Sequence, residues 1–402
     1  MITAIRDISC PDPVPLIWKF LRYFLDQGSV ARRIRAIHGL NETEQEANVK
    51  KQALQISYCI RQAEEYFTAA LHVSIATKPL LLYYGAVALS QALILLRNDG
   101  DSSLDSLRKL KRHRHHGLEL NELSLPRRET PGFLQEMLAN IKCRVHKNEA
   151  GPCGHFVLFY RSLVPPVFSI PSKITEPGPN FIMHTKSPQM CAEMAPLDAL
   201  TRRSINCFDL VKALPDCFYP LLELGLRPGL CRSDASQQSI RHFRTDPGGA
   251  RTLNKVATET MIFIYDITVE QKSHLLSLYQ SKGSKLTLAS DFGSHIVLRL
   301  AYEEVPGQQV EQTYFPDLVD DVNGQLFCIL EPDAYVNEAA AFLILLFCFG
   351  MLARYYPDLW MKALQVNVPF VEFVDSLLNT VQRKLPNLIL DQMTGLKHFV
   401  HS

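Results

Sequence analysis

The sequence predicts a mainly α fold: a helical core drawn from both chain ends, with a Pro-rich segment and a small α+β module inserted between them. Three observations carry this. Residues 80–96 are apolar apart from Ser90 and Gln91. Residues 339–353 run for fifteen positions without a charged or strongly polar side chain. Between these runs, prolines at 165, 166, 171, 177, 179 and 188 forbid long regular elements. A membrane-spanning helix needs about 20 apolar residues. The second run falls short of that, and Arg354 follows it at once. Both runs are therefore expected to be core helices, packed on each other. Each large side chain buried there contributes about 1.5–3 kcal/mol.

The elements follow in order. Residues 14–25 place Leu16, Ile17, Phe20, Leu21 and Phe24 on one helical side. Ser29 is the expected cap of a short basic helix that Gly39 ends. Thr43 and Glu46 have capping-box spacing, and Ala53, Ile56, Ile60, Ala63, Phe67 and Ala70 then recur at steps of three and four. Pro79, in a first turn, starts the run 80–96. Residues 131–141 read as a short amphipathic helix. Residues 156–160 read as a strand, 196–214 carry helical spacing, and the polar stretch 233–249 reads as a mobile loop. Residues 260–268 form a strand by β-branched and aromatic content, 269–279 a helix, 285–289 and 295–300 a hairpin, and 325–330 a further strand. Asn337 is positioned to cap the second apolar helix. Residues 369–383 are amphipathic, and Pro386 is expected to open a last separate segment. The expected regions are thus 1–142, helical; 143–258, a Pro/Gly-rich insertion; 259–331, an α+β module; and 332–402, helices that pack on the first region.

Composition narrows the function classes. The chain has 402 residues, 47% of them hydrophobic, and a net charge of +1. No global field calls for nucleic acid or an anionic membrane. Ten cysteines include no CxxC pair, which is a reduced, cytosolic pattern. The first residues lack the apolar core of a signal peptide, and a cytoplasmic location without membrane contact is expected. GxxxxGK[ST], GxGxxG and GxSxG are all absent.

Several blocks carry a resemblance. They are QAEEYFTAA at 62–70, KPLLLYYG at 78–85, HGL at 116–118, FLILLFCFGMLARYYPDLW at 342–360 and KLPNLILD at 384–391. Together they resemble the YaaC-like family of bacterial proteins, over residues 14–395. The resemblance implies a mainly helical, cytosolic bacterial protein and brings no reaction with it.

Three groups of residues are candidates for chemistry. Arg108, Lys109, Lys111, Arg112 and Arg114, interleaved with His113, His115 and His116, can neutralise phosphates. The plainer reading is a solvated loop, or a helix C-terminus favoured by cations. Lys78, Tyr83, Tyr84, His116, Arg354, Tyr355 and Trp360 sit near the ends of the two apolar helices and could form a cationic, aromatic pocket for a nucleotide or a base. Against this, tyrosine and tryptophan are ordinary core-edge residues. Finally, Arg33 with His38, and Arg108 with His113, have the spacing of HEPN-type ribonucleases. In those a histidine moves protons and an arginine holds the phosphate. Such pairs arise by chance at this composition. Cys153 and His155 lack a matching second pair, so neither a metal nor another cofactor is expected.

The leading expectation is a binding or regulatory protein without self-contained catalysis. Its candidate partners are nucleic acid or a nucleotide, a protein in bacterial defence, or a second copy of the chain. The rival is a metal-independent endoribonuclease using His116 with Arg112 or Arg354.

Overall fold

The computed structural model describes residues 4–97, 103–110, 114–121, 133–164, 167–168, 173–178, 181–186, 190–191, 194–281, 286–304, 318–331 and 334–401. The chain divides into two compact units. A helical unit holds residues 7–164, 194–228 and 333–402. A sheet unit holds residues 1–6, 165–193 and 229–332. The fold is therefore mixed α/β, and the expected mainly α class is corrected by the size of the sheet.

Among the described residues the α-helices are α1 (Pro13–Leu21), α2 (Gln27–His38), α3 (Glu46–Ala70), α4 (Lys78–Arg97), α5 (Leu104–Lys109), α6 (Phe133–Asn140), α7 (His155–Ser162), α8 (Leu197–Thr201), α9 (Cys207–Lys212), α10 (Phe218–Glu223), α11 (Val269–Ser281), α12 (Glu338–Tyr355), α13 (Pro357–Val366) and α14 (Val368–Thr394). All but α11 belong to the helical unit. The two apolar runs are α4 and α12, and they pack on each other, as their composition demands. α4 also lies against α3, α7 and α14. By length and composition each of the two could cross a membrane, but most of each is covered by protein. Phe342, Phe347 and Phe349 of α12 are fully buried in the same core that holds Phe67, Phe156 and Phe370.

Caps set the helix ends. Asn337 accepts from the Ala339 amide, as expected, and Asn367 accepts from the Phe370 amide at the start of α14. The cap of α2 is Asp26, which accepts from the Gly28 and Ser29 amides, rather than Ser29 itself. Gly39 ends α2 at φ 64°. The expected capping box at Thr43 and Glu46 does not form: Asn41 takes the Thr43 and Glu44 amides, and α3 begins after Gln45. Residues 156–160 are helix rather than strand. An apolar run of that length is compatible with either, and α7 is buried on most sides by Phe156, Val157, Phe159 and Tyr160. Residues 196–214 are two short helices around the strand Ile205–Asn206, not one helix. Pro386 lies inside α14. A proline there removes one hydrogen bond and costs about 3 kcal/mol. Burial of Leu385, Ile389 and Leu390 around it outweighs that loss.

The sheet unit is organised on the long antiparallel pair Leu230–Thr245 and Arg251–Tyr265, paired from Ser233 opposite Ile264 to Thr245 opposite Arg251 with a register shift between His242 and Phe243. Arg251–Tyr265 pairs on its other edge with His295–Glu304, which pairs with Thr287–Asp291. Leu230–Thr245 shares its free edge between Leu326–Ile329 and Phe181–Lys186. Leu318–Asp320 and Lys173–Gly178 lie outside those two. Thus 233–249, read as a mobile loop, is mostly strand. Its inward positions carry hydroxyls and amides, so no alternation of apolar residues marks them. Gln237 donates to Thr260 Oγ1 at 3.0 Å, and Ser239 and Thr258 share a 3.0 Å hydrogen bond. The pair also crosses the 258/259 boundary expected between insertion and module. At one end of this face, Ile262, Ile264, Ile296 and Leu298 pack with Leu275 and Tyr279 of α11.

Candidate functional site

Two clusters of polar side chains lie in the helical unit on either side of the segment His115–His116–Gly117. Backbone hydrogen bonds hold this segment against two others. The His155 and Phe156 amides donate to the His115 and His116 carbonyls at 3.0 and 2.9 Å, and the His146 amide donates to the Gly117 carbonyl at 3.0 Å. The approach is closer than side chains allow. A Cβ on Gly154, at φ 103°, would stand 2.3 Å from Gly117 Cα and 2.7 Å from His115 Cε1. The strand Leu118–Leu120 then pairs antiparallel with Lys142–Val145, bringing Glu119 opposite Arg144.

His116 turns toward α4 and α12. Its Nδ1 shares a 2.7 Å hydrogen bond with the Tyr83 hydroxyl, and its ring meets Tyr83 edge-on beside Phe347. Arg354, in the last turn of α12, donates to the Tyr84 hydroxyl at 2.7 Å and lies over the Tyr355 ring at 4.9 Å. Tyr84 in turn stacks on Tyr66, with ring centroids 5.7 Å apart. Partial burial, then the positive charge of Arg354, then His115, hold the His116 imidazole below its ordinary pKa. Burial raises the Tyr83 phenol. Among the described residues no carboxylate forms an ion pair with Arg354. Tyr355 remains 54% exposed, so the cation and its aromatic neighbour face solvent.

Not every expected pocket residue joins this patch. Lys78 is buried and turns to Asn379 and Asp375 of α14. Trp360 is core: it donates from Nε1 to the Ala76 carbonyl at 3.0 Å and stacks on Phe349. Of the basic run, Arg108 and Lys109 end α5, where Arg114 Nε donates to the Arg108 carbonyl at 2.6 Å. Lys111, Arg112 and His113 lie outside the described residues. Arg33 and His38 are used in packing: Arg33 donates to the Thr394 carbonyl and His38 to the Leu96 carbonyl at 3.1 Å.

On the other side of the segment, His115 Nε2 faces Cys153 Sγ at 3.6 Å, and the His115 and His146 rings meet edge-on with centroids 4.1 Å apart. The donor atoms of His115, His146 and Cys153 all fall within 4.8 Å of one another. His146 Nδ1 is hydrogen-bonded to Glu119, which also accepts from Arg144 Nε at 2.7 Å. These two bonds hold the Glu119 carboxyl below its usual pKa. His155, singled out with Cys153 by spacing, turns inward to Ser90 Oγ at 2.6 Å, and burial lowers its pKa to about 4. Sequence reading missed His146 because its partners come from three separate segments without a common motif. The only signal was the pair of glycines, one after His115–His116 and one after Cys153.

The YaaC-like Protein family model matches residues 22–163 and 187–393. The chain belongs to this family. The matched stretches carry both clusters. No curated protein and no solved structure matches the chain.

Proposed function

We propose that the chain is a binding protein for a nucleotide unit, free or within a single strand, and that the ligand seats at Arg354 and its tyrosines. One observation carries this: a solvent-facing guanidinium is oriented by Tyr84 and Tyr355, without a carboxylate counter-charge among the described residues. Such a group recognises phosphate. The exposed Tyr355 offers a face for a base, and base–aromatic stacking is worth about 1–3 kcal/mol. His116 and Tyr83 form the adjoining wall.

The test is anisotropy of a labelled single-stranded RNA, with mononucleotide as competitor. A hydrogen bond to a charged group is worth about 1.5–3 kcal/mol, so Arg354→Gln should weaken binding roughly 10- to 100-fold. One lost phosphate contact lowers the salt slope by about 0.7 on a single strand. Competition by the mononucleotide distinguishes a free ligand from a polymer. Unchanged affinity and slope in Arg354→Gln would overturn the reading. RNA cleavage that disappears in His116→Ala would replace it with the ribonuclease reading, since His116 borders the same tyrosine pair as Arg354.

A further inference from the structure

The geometry points to a site for a zinc-class transition metal ion on His115, His146 and Cys153, separate from the Arg354 patch. Two independent features converge. In a tetrahedral site with Zn–S of about 2.3 Å and Zn–N of about 2.0–2.1 Å, a sulfur and a nitrogen donor stand about 3.6 Å apart. The separation of Cys153 Sγ from His115 Nε2 is 3.6 Å. Further, His146 is already oriented as metal-binding histidines are. Its Nδ1 is hydrogen-bonded to Glu119, and Arg144 anchors that carboxylate from the paired strand. A carboxylate there directs the Nε2 lone pair outward and raises its basicity.

The donor set of one thiolate and two imidazoles suits zinc or cobalt, and excludes the all-oxygen preference of magnesium and calcium. Three protein donors leave one tetrahedral position for water or a further ligand. The backbone prepares the site: Gly117 and Gly154 let the His115 and Cys153 segments meet closely, and backbone hydrogen bonds from the His146 amide to Gly117 and from the Cys153 amide to His146 bring in the third. Loading proceeds with a definite proton balance. The Cys153 thiol loses its proton to solvent. The Gly117 amide donates to His115 Nδ1 at 3.2 Å, which places the ring proton of the metal-free chain on Nε2. That proton moves to Nδ1 as the metal takes Nε2, and the long Gly117 contact opens.

The experiment uses the full chain, stripped with a chelator, kept under a non-thiol reductant and titrated with Co²⁺ alone. One equivalent should bind with a thiolate-to-cobalt charge-transfer band in the near ultraviolet, and equimolar Zn²⁺ should discharge it. Cys153→Ser should lose the band. Glu119→Gln, which keeps a hydrogen-bonding group of the same size, should retain the band and weaken affinity about 10- to 100-fold. Where Cys153→Ser does not fold, cobalt affinity unchanged in Glu119→Gln would overturn the assignment, because Glu119 holds His146. Absence of a charge-transfer band in the unaltered chain would reduce the cluster to a thiol–imidazole hydrogen bond. A band surviving in folded Cys153→Ser would place the metal on another cysteine. Either result overturns the assignment.

Discussion

Gly85 and Gly350 both lie inside the apolar core helices, and replacing each by alanine should move stability in opposite directions. Alanine exceeds glycine in a helix interior by about 0.5–1 kcal/mol, chiefly through the entropy of the unfolded backbone. The surroundings differ. A Cβ on Gly350 would stand 3.5 Å from Tyr83 Cβ and 3.8 Å from the Pro79 carbonyl oxygen, which is ordinary van der Waals distance. A Cβ on Gly85 would stand 2.6 and 2.7 Å from two ring carbons of Phe67. Carbon atoms prefer about 3.5–4.0 Å, so the ring must retreat by about 1 Å. Phe67 is 2% exposed and its ring lies 5.4 Å from that of Trp18. Overpacking of a filled core costs about 1–3 kcal/mol. The net expectation is a loss of about 1–2 kcal/mol for Gly85→Ala and a gain of about 0.5–1 kcal/mol for Gly350→Ala. Urea unfolding followed by tryptophan fluorescence measures both. The chain has two tryptophans, Trp18 and Trp360, and both lie in the helical unit, so the signal reports on that unit alone. An equal or higher midpoint for Gly85→Ala, or a clear loss for Gly350→Ala at unchanged slope, would refute the reasoning.

Other expectations follow from the same packing. Lys384 Nζ lies 2.6 Å from both Asp216 and Glu338, all three side chains buried, so Lys384→Met removes the cation these two carboxylates share. It should cost about 3–5 kcal/mol, and a loss below 1 kcal/mol in the urea assay would show the group is better hydrated than its surroundings imply. Trp360→Phe keeps the stacking but removes the bond to Ala76, with an expected loss of about 1 kcal/mol. Burial holds the Asp391 carboxyl above its usual pKa, against the opposing pull of His398 and Lys397. The folded state then binds that proton more tightly than the unfolded state. The contribution of Asp391 to stability is therefore greatest below the ordinary carboxylate range and declines as pH rises through the raised value. Stability profiles of Asp391→Asn and the parent should show the variant gaining relative to the parent as pH rises; a constant difference would contradict this.

Much of the helical unit was legible because its signals are local. Asn337 announces α12 by its side-chain chemistry, and the recurrence of Ala53, Ile56, Ile60 and Phe67 announces α3. The strand at residues 233–245 was not legible, because partners on both edges set its pairing and hydrogen-bonded hydroxyls fill its inward face. Of the expected pocket, Tyr83, Tyr84, His116, Arg354 and Tyr355 come together, while Lys78 and Trp360 serve the core. Both are amphipathic side chains, and nothing in their own sequence says which end meets water.

By itself the sequence determined that two apolar helices from opposite ends of the chain must share one interior, since neither run has a polar face to show to solvent. It also determined the family, through blocks that surround those helices. Only the tertiary structure decided that His115 and His116, adjacent in the chain, look to opposite sides, one to Cys153 and His146 and the other to Tyr83. The reason is steric and long-range. Two glycines far apart in the chain must meet at a distance no side chain permits, and that meeting sets where each imidazole points.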